Sequence, residues 1–152
     1  MDEDMVRRVE NFLKKHVYCT IATCSKGTPL ATVVVYASKG LDIFFFTGEG
    51  TKKLKDIRLN PMVAVTVQGR RLFFFPQAVE IQGKAEILSG WEAEATGDIY
   101  FSKRKLEILA AKKVSEMADI KWVKVTPVKV FTYGIGTRPW HLAPEKQFKK
   151  VL

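Results

Sequence analysis

A phenylalanine run, two glycines, a threonine and a lysine pair follow one another in FFFTGEGTKKLKDIRLNP, residues 44–61. Thr51 suits the N-cap of a short helix running to about Leu59, with Lys52 and Lys53 at its first two helical positions. A helix N-terminus already carries partial positive charge, so lysines there are unfavourable unless an anion sits beside them. Gly48 and Gly50 let backbone amides approach such an anion closely. Strand, glycine loop, hydroxyl cap and paired lysines therefore form a candidate phosphate cradle. Glu49 opposes this unless its carboxylate turns away. The competing reading is an exposed lysine-rich helix face shared with Lys55 and Arg58. The Gly-x-x-x-x-Gly-Lys spacing of a nucleotide P-loop is absent.

Other chemistry is sparse. His16 and His141 are the only histidines, far apart and without a nucleophile or ordering acid beside them, which argues against a hydrolase triad. Cys19 and Cys24 lie at an odd separation in one strand, hence on opposite faces, and are expected to stay reduced thiols. No Cys/His cluster suggests zinc. Phe44 to Phe46 and Phe73 to Phe75 put rings on both faces of their strands. One face can be core; the other needs a helix, a partner subunit or a flat ligand to cover it, and a dimer is the simplest answer.

The elements that hold these residues follow from periodicity. Residues 4 to about 15 form an amphipathic helix with Met5, Val9, Phe12 and Leu13 on one face. Strand patterns follow at 17–24, 28–37 and 41–47, joined by Ser25-Lys26-Gly27 and Ser38-Lys39-Gly40 as an antiparallel meander. Asn60-Pro61 ends the short helix, and 62–67 is a fourth strand. The fifth, 78–88, alternates Val79, Ile81, Ala85 and Ile87 against polar residues, with Gly83 marking a bend or close approach. Residues 91 to about 119 read as helical, with Trp91, Ile108, Leu109 and Met117 as core positions. The last strand, 122–134, shifts its apolar phase at Pro127, as a bulge would.

The chain has 152 residues, enough for one domain with a core that needs no disulfide or metal. With 47% hydrophobic and 27% charged residues it belongs with folded rather than disordered proteins. No apolar run is long enough for a membrane helix, and the charged start lacks a signal-peptide pattern, so a cytoplasmic location is expected. A net charge of +9 attracts anions, but its dispersal as doublets argues against a nucleic-acid stripe and fits a solvated basic surface.

Four passages, GTPLATVVVY (27–36), DIFFFTGEGTKKLKDIRLNP (42–61), MVAVTV (62–67) and VEIQGKAEILS (79–89), resemble in order and spacing the FMN-binding split-barrel family typified by pyridoxamine 5′-phosphate oxidase. The resemblance implies a mainly β, six-stranded antiparallel split barrel, Greek-key-like, with flanking helices. It implies a homodimer with FMN in two equivalent interface sites, and redox chemistry on a small molecule. By position, Thr32, Val33, Val34 and Val35 would run along the flavin, largely through backbone groups. Phe46 and Thr47 would sit beside ring and phosphate, with Lys52 and Lys53 gripping the phosphate behind Thr51. Gln77 would contact the ring, and Arg138 and Trp140 would reach the other subunit's flavin.

Two departures count against oxidation of pyridoxamine phosphate itself. Thr32 stands where the oxidase has an arginine, and Arg138-Pro139-Trp140-His141 has the wrong spacing for its Arg-x-His pair. The resemblance leaves other readings within the fold: a deazaflavin or haem in place of FMN, or a non-catalytic flavin-binding sensor.

Overall fold

The computed structural model describes residues 2–72, 74–136 and 148–152. The N-terminal helix is α1 (Glu3–Lys15), capped by the Asp2 carboxylate, which accepts from the amides of Asp4 and Met5. Its buried face is Met5, Val9, Phe12 and Leu13, the stripe expected from spacing. Each such side chain taken out of water contributes about 1.5–3 kcal/mol at most.

The strands are β1 (Tyr18–Ser25), β2 (Thr28–Val35), β3 (Ala37–Lys39), β4 (Asp42–Gly48), β5 (Met62–Arg71), β6 (Phe75–Leu88), β7 (Ile120–Tyr133) and β8 (Phe148–Lys150). The helices after α1 are α2 (Lys52–Leu59), α3 (Gly90–Phe101) and α4 (Leu106–Met117). The main path through the sheet is β2-β1-β5-β6-β7-β4-β3, antiparallel throughout, with β8 paired to β7. β2 and β3, the two ends of that path, are separated in sequence by Tyr36 alone. One bent strand therefore joins both edges of the sheet and curls it into a barrel.

Six long strands were expected. The additional two are short: β3 arises because the second strand breaks at Tyr36, and β8 is a three-residue edge. Tyr36 is fully buried; its hydroxyl donates to Leu13 O at 2.7 Å and its amide to Val17 O at 3.0 Å. The break is thus pinned to the end of α1. Inside the barrel, Ile21, Ile43, Phe45, Val65, Val67, Ile81, Val123 and Val125 pack with the α1 stripe and with Leu54 and Ile57 of α2.

The region expected as one helix from 91 to 119 is two, broken at Ser102 to Lys105. Of its four expected core residues only Ile108 is buried. Trp91, Leu109 and Met117 are 77%, 63% and 87% exposed, because these helices lie on the barrel's outside and bury only one narrow face. That face, Tyr100, Ile108 and Ala111, packs on Ala37, Val35, Phe46 and Trp122. The first phenylalanine run is thereby covered within the chain: Phe44 and Phe45 are buried, and Phe46 lies edge-on to Tyr100 and Trp122. In the second run Phe74 is 83% exposed, and Phe73 lies outside the described residues.

The phase slip in the last strand is a bulge. Gln82 pairs with Lys129 and Gly83 with Pro127, so Val128 has no partner. Gly83 sits against it: a Cβ there would lie 2.6 Å from Thr126 O and 2.8 Å from Val125 Cγ1. Backbone cannot yield as a side-chain tip can. Gly83→Ala is expected to lower stability by about 1–3 kcal/mol in urea titration, whereas Gly50→Ala, where a Cβ would meet nothing within 4 Å, should leave the midpoint nearly unchanged.

Candidate functional site

The barrel is open along one seam. β2 pairs with β1 on one side only, and β3 pairs with β4 only from Asp42 to Phe44. Among the described residues, the β2 edge and the β4 stretch beyond Phe44 have no strand between them. A cavity of about 550 Å³ lies at this seam, lined by Tyr18, Val34, Val35, Phe46, Tyr100 and the α4 residues Leu106, Ala110 and Val114. Its walls are mostly apolar and aromatic, as for a site that takes a flat organic ring. The Thr32 hydroxyl on β2 is buried with no hydrogen-bond partner.

Strand alternation sends Phe46 to the outer, α4-facing side of β4 and Thr47 to the side of Phe45 and the core. At the core-side end a hydrogen-bond chain meets α2. Thr51 Oγ1 donates to Gly48 O at 2.9 Å, which uses its one proton. The 2.9 Å contact between Thr47 Oγ1 and Thr51 Oγ1 therefore has Thr47 as donor. Lys53 Nζ donates to Thr47 Oγ1 at 3.3 Å. Thr51 holds the N-cap position but makes no side-chain bond to the helix amides. Its hydroxyl tightens the Gly48 turn instead, leaving the first-turn N–H groups of α2 uncapped by a side chain and with no acid in that turn.

The paired lysines do different things. Lys52 reaches one turn along α2 and donates to both oxygens of Asp56, at 2.8 and 3.1 Å. Asp56 is only 2% exposed and also accepts from Ser25 Oγ at 2.7 Å and Thr23 Oγ1 at 2.9 Å. Lys52 is accordingly tied into an α2–β1 clamp rather than extended over the helix end. Lys53 is half-buried with no carboxylate within 4.0 Å among the described residues, and burial lowers its pKa. Its ammonium keeps two donors beyond the bond to Thr47. Glu49 Oε1 pairs with Arg58 at 2.7 Å, while its Oε2 is buried without a hydrogen-bond partner.

Of the expected site residues, Val34, Val35 and Phe46 line the seam cavity, Thr32 and Val33 lie on the same strand β2, and Thr47, Thr51 and Lys53 form a hydrogen-bonded group where β4 meets α2. Gln77 does not join them. It lines a separate cavity of about 620 Å³ with His16, Gln68, Gly69 and Arg70, and its Nε2 donates to Gly134 O at 3.2 Å. Arg138 and Trp140 lie outside the described residues. Asp56 and α4 were missed by sequence reasoning. The Lys52-to-Asp56 spacing of four was the available signal for the first.

A family model described as pyridoxamine 5′-phosphate oxidase matches residues 5–134. The chain belongs to this family. General stress protein 26 of Bacillus subtilis is 31% identical over 101 residues, covering 66% of this chain and 71% of that protein. The pyridoxine/pyridoxamine 5′-phosphate oxidase of Bombyx mori is 31% identical over 121 residues, covering 79% of this chain but only 42% of the oxidase. Among solved structures, a heme binding protein from Mycobacterium smegmatis superposes with TM-score 0.77 at 16% identity, over 96% of this chain and 57% of that one. A FAD-binding protein from Mesorhizobium loti superposes with TM-score 0.69 at 18% identity, over 83% and 90%. At such identities the likeness is one of fold. The split-barrel class expected from sequence is therefore the observed one, and no helix among the described residues is long and apolar enough to cross a membrane.

The clamp has a pH signature. Lys52, then Ser25 and Thr23, hold the Asp56 carboxyl at about 2, below its ordinary 3.8. A carboxyl depressed in the folded state adds stability above the unfolded value, and that stability disappears as pH falls through the folded one. Urea midpoints are expected to fall between about pH 4 and pH 2, and Asp56→Asn should flatten that segment of the profile.

Proposed function

We propose that this protein is a homodimeric FMN-dependent oxidoreductase acting on a small molecule. The observation that carries the reading is Lys53: a half-buried ammonium without a carboxylate partner, beside an uncapped helix start, at the end of a seam lined by apolar and aromatic side chains. A phosphate tail would answer the charge at Lys53 and the first-turn amides of α2, and a ring would lie along Val33 to Val35 and Phe46. The buried, unpartnered Thr32 hydroxyl fits a polar ligand at that edge.

Bound flavin would supply the hydride or electron transfer, which no side-chain nucleophile need perform. The chain's own residues would do the rest. Lys53 and Thr47 would hold the tail, and α4 with Leu106 and Val114 would keep water from one side of the seam. Lys52, tied to Asp56, would support the helix rather than the ligand.

A second copy of the chain is supported by exposed apolar side chains around the seam. Tyr18, Val33, Leu106 and Val114 are 52%, 67%, 81% and 56% exposed. The separate position of Gln77 agrees with a site completed by residues of the other subunit. The name of the Mycobacterium protein keeps haem as the second reading; the free lysine favours a phosphorylated cofactor over it.

The absorbance spectrum of purified protein decides between them: a two-banded flavin spectrum is expected, and a Soret band would replace this reading by haem. Lys53→Ala should weaken FMN binding by about 1.5–3 kcal/mol in fluorescence titration, the scale of a lost charge-assisted hydrogen bond. Lys52→Ala should cost folding stability more than FMN affinity. Val33→Asp is expected to yield monomers in light scattering; an unchanged mass would remove β2 from the interface.

A further inference from the structure

A second cleft, of about 270 Å³, lies between the end of α1, β3 and the α3–α4 junction. Its lining brings Lys14, Lys39 and Lys103 together with Ser38, Gly40 and Ser102. The three lysines come from α1, β3 and the α3–α4 junction, so tertiary structure alone assembles them. Among the described residues Lys14 and Lys39 have no carboxylate within 4.0 Å. Glu10 is the acid at the rim, its Oε1 3.8 Å from where a Cβ on Gly40 would stand. Lys14, Lys39 and Lys103 thus meet Glu10 at the rim, and the charges of Lys105 and Glu107 also act on Lys103.

Lys103 is fixed in place. Its Nζ donates to His16 O and to Tyr36 O, and lies 4.4 Å from the Tyr36 ring centroid. An ammonium over an aromatic face is favoured in its charged form. Burial, with Lys105 adding to it, nevertheless brings its pKa to about 8. The second, independent observation is Ser38: the residue lines the cleft, and its hydroxyl oxygen is buried with no hydrogen-bond partner. A buried hydroxyl without a partner is uncommon and asks for one.

We propose that this cleft binds a small phosphate-type anion, free or as the monoester of a small organic molecule, with Lys14, Lys39 and Lys103 neutralising it and Ser38 donating to it. The cleft is smaller than the roughly 300–1,000 Å³ that houses drug-sized ligands, which excludes a whole flavin nucleotide and makes this a site distinct from the seam.

The test is titration of the purified, full-length protein with inorganic phosphate and, separately, with glycerol 3-phosphate, followed by backbone amide NMR. Saturable shifts at Ser38, Lys39, Gly40, Ser102 and Lys103 are expected. The Lys14→Ala, Lys39→Ala double variant, both exposed positions, should bind about tenfold more weakly with FMN content unchanged. Lys53→Ala should leave these shifts intact, which separates this cleft from the seam. Tighter binding of the ester than of phosphate would identify an organic ligand; equal binding would identify the free anion. Linear, unsaturable shifts, or equal affinity in the double variant, would overturn the proposal.

Discussion

The barrel depends on Tyr36. The chain pairs with β1 up to Val35 and with β4 from Ala37, so the strand changes partners across a single residue. A strand that crosses between the two edges of a sheet must bend, and a bend in the interior exposes backbone polar groups that need partners. Tyr36 supplies them: its amide goes to Val17, its carbonyl accepts from Lys103, and its hydroxyl reaches Leu13. The first helix, the strand break and the α3–α4 junction are therefore one hydrogen-bonded unit. The same bend leaves one edge of β2, and one edge of β4 beyond Phe44, without a strand partner among the described residues and so creates the seam. Fold and candidate site have a single geometric origin.

Charge is arranged around α2 by subtraction. The helix carries Lys52, Lys53, Lys55 and Arg58, which would crowd a helix start with like charge. Asp56 takes Lys52, and Glu49 takes Arg58. Asp56 is buried, yet it stays ionised because three donors surround it. Lys53 and Lys55 remain; Lys55 is exposed, and Lys53 is the half-buried one beside the uncapped helix amides. A site for an anion is in this way left by pairing its neighbours elsewhere rather than by gathering every cation at it.

The outer helices lie outside the hydrogen-bonded sheet. α3 and α4 bury a narrow aromatic and aliphatic face on Phe46, Val35 and Trp122, and they form one wall of the seam. They pack on the barrel without belonging to its hydrogen-bonded sheet, so their sequence can vary with little effect on the strands. The solved structures with similar folds, one a heme binding protein and one a FAD-binding protein, share the fold at below 20% identity.

Much of this was legible in the amino-acid order. Strand and helix periods came through for α1, β1, β5 and β6 because one face of each is buried against one core, which imprints a strict repeat. The bulge opposite Gly83 showed as a phase slip at Pro127, and the helix start at Thr51 showed as a cap followed by basic residues. The outer helices were misread, since Trp91, Leu109 and Met117 are apolar without being buried in the chain, and hydrophobicity alone does not say which surface covers it. The split of duties between Lys52 and Lys53 was also beyond sequence: it depends on Ser25 and Thr23 of a distant strand arriving beside Asp56. Local order thus determined the elements and the chemistry present near residues 44–61. Only tertiary structure decided which lysine is left half-buried at the helix start, that a seam opens beside it, and that Lys14, Lys39 and Lys103 meet at the α3–α4 junction, because each of these rests on contacts between segments far apart in the chain.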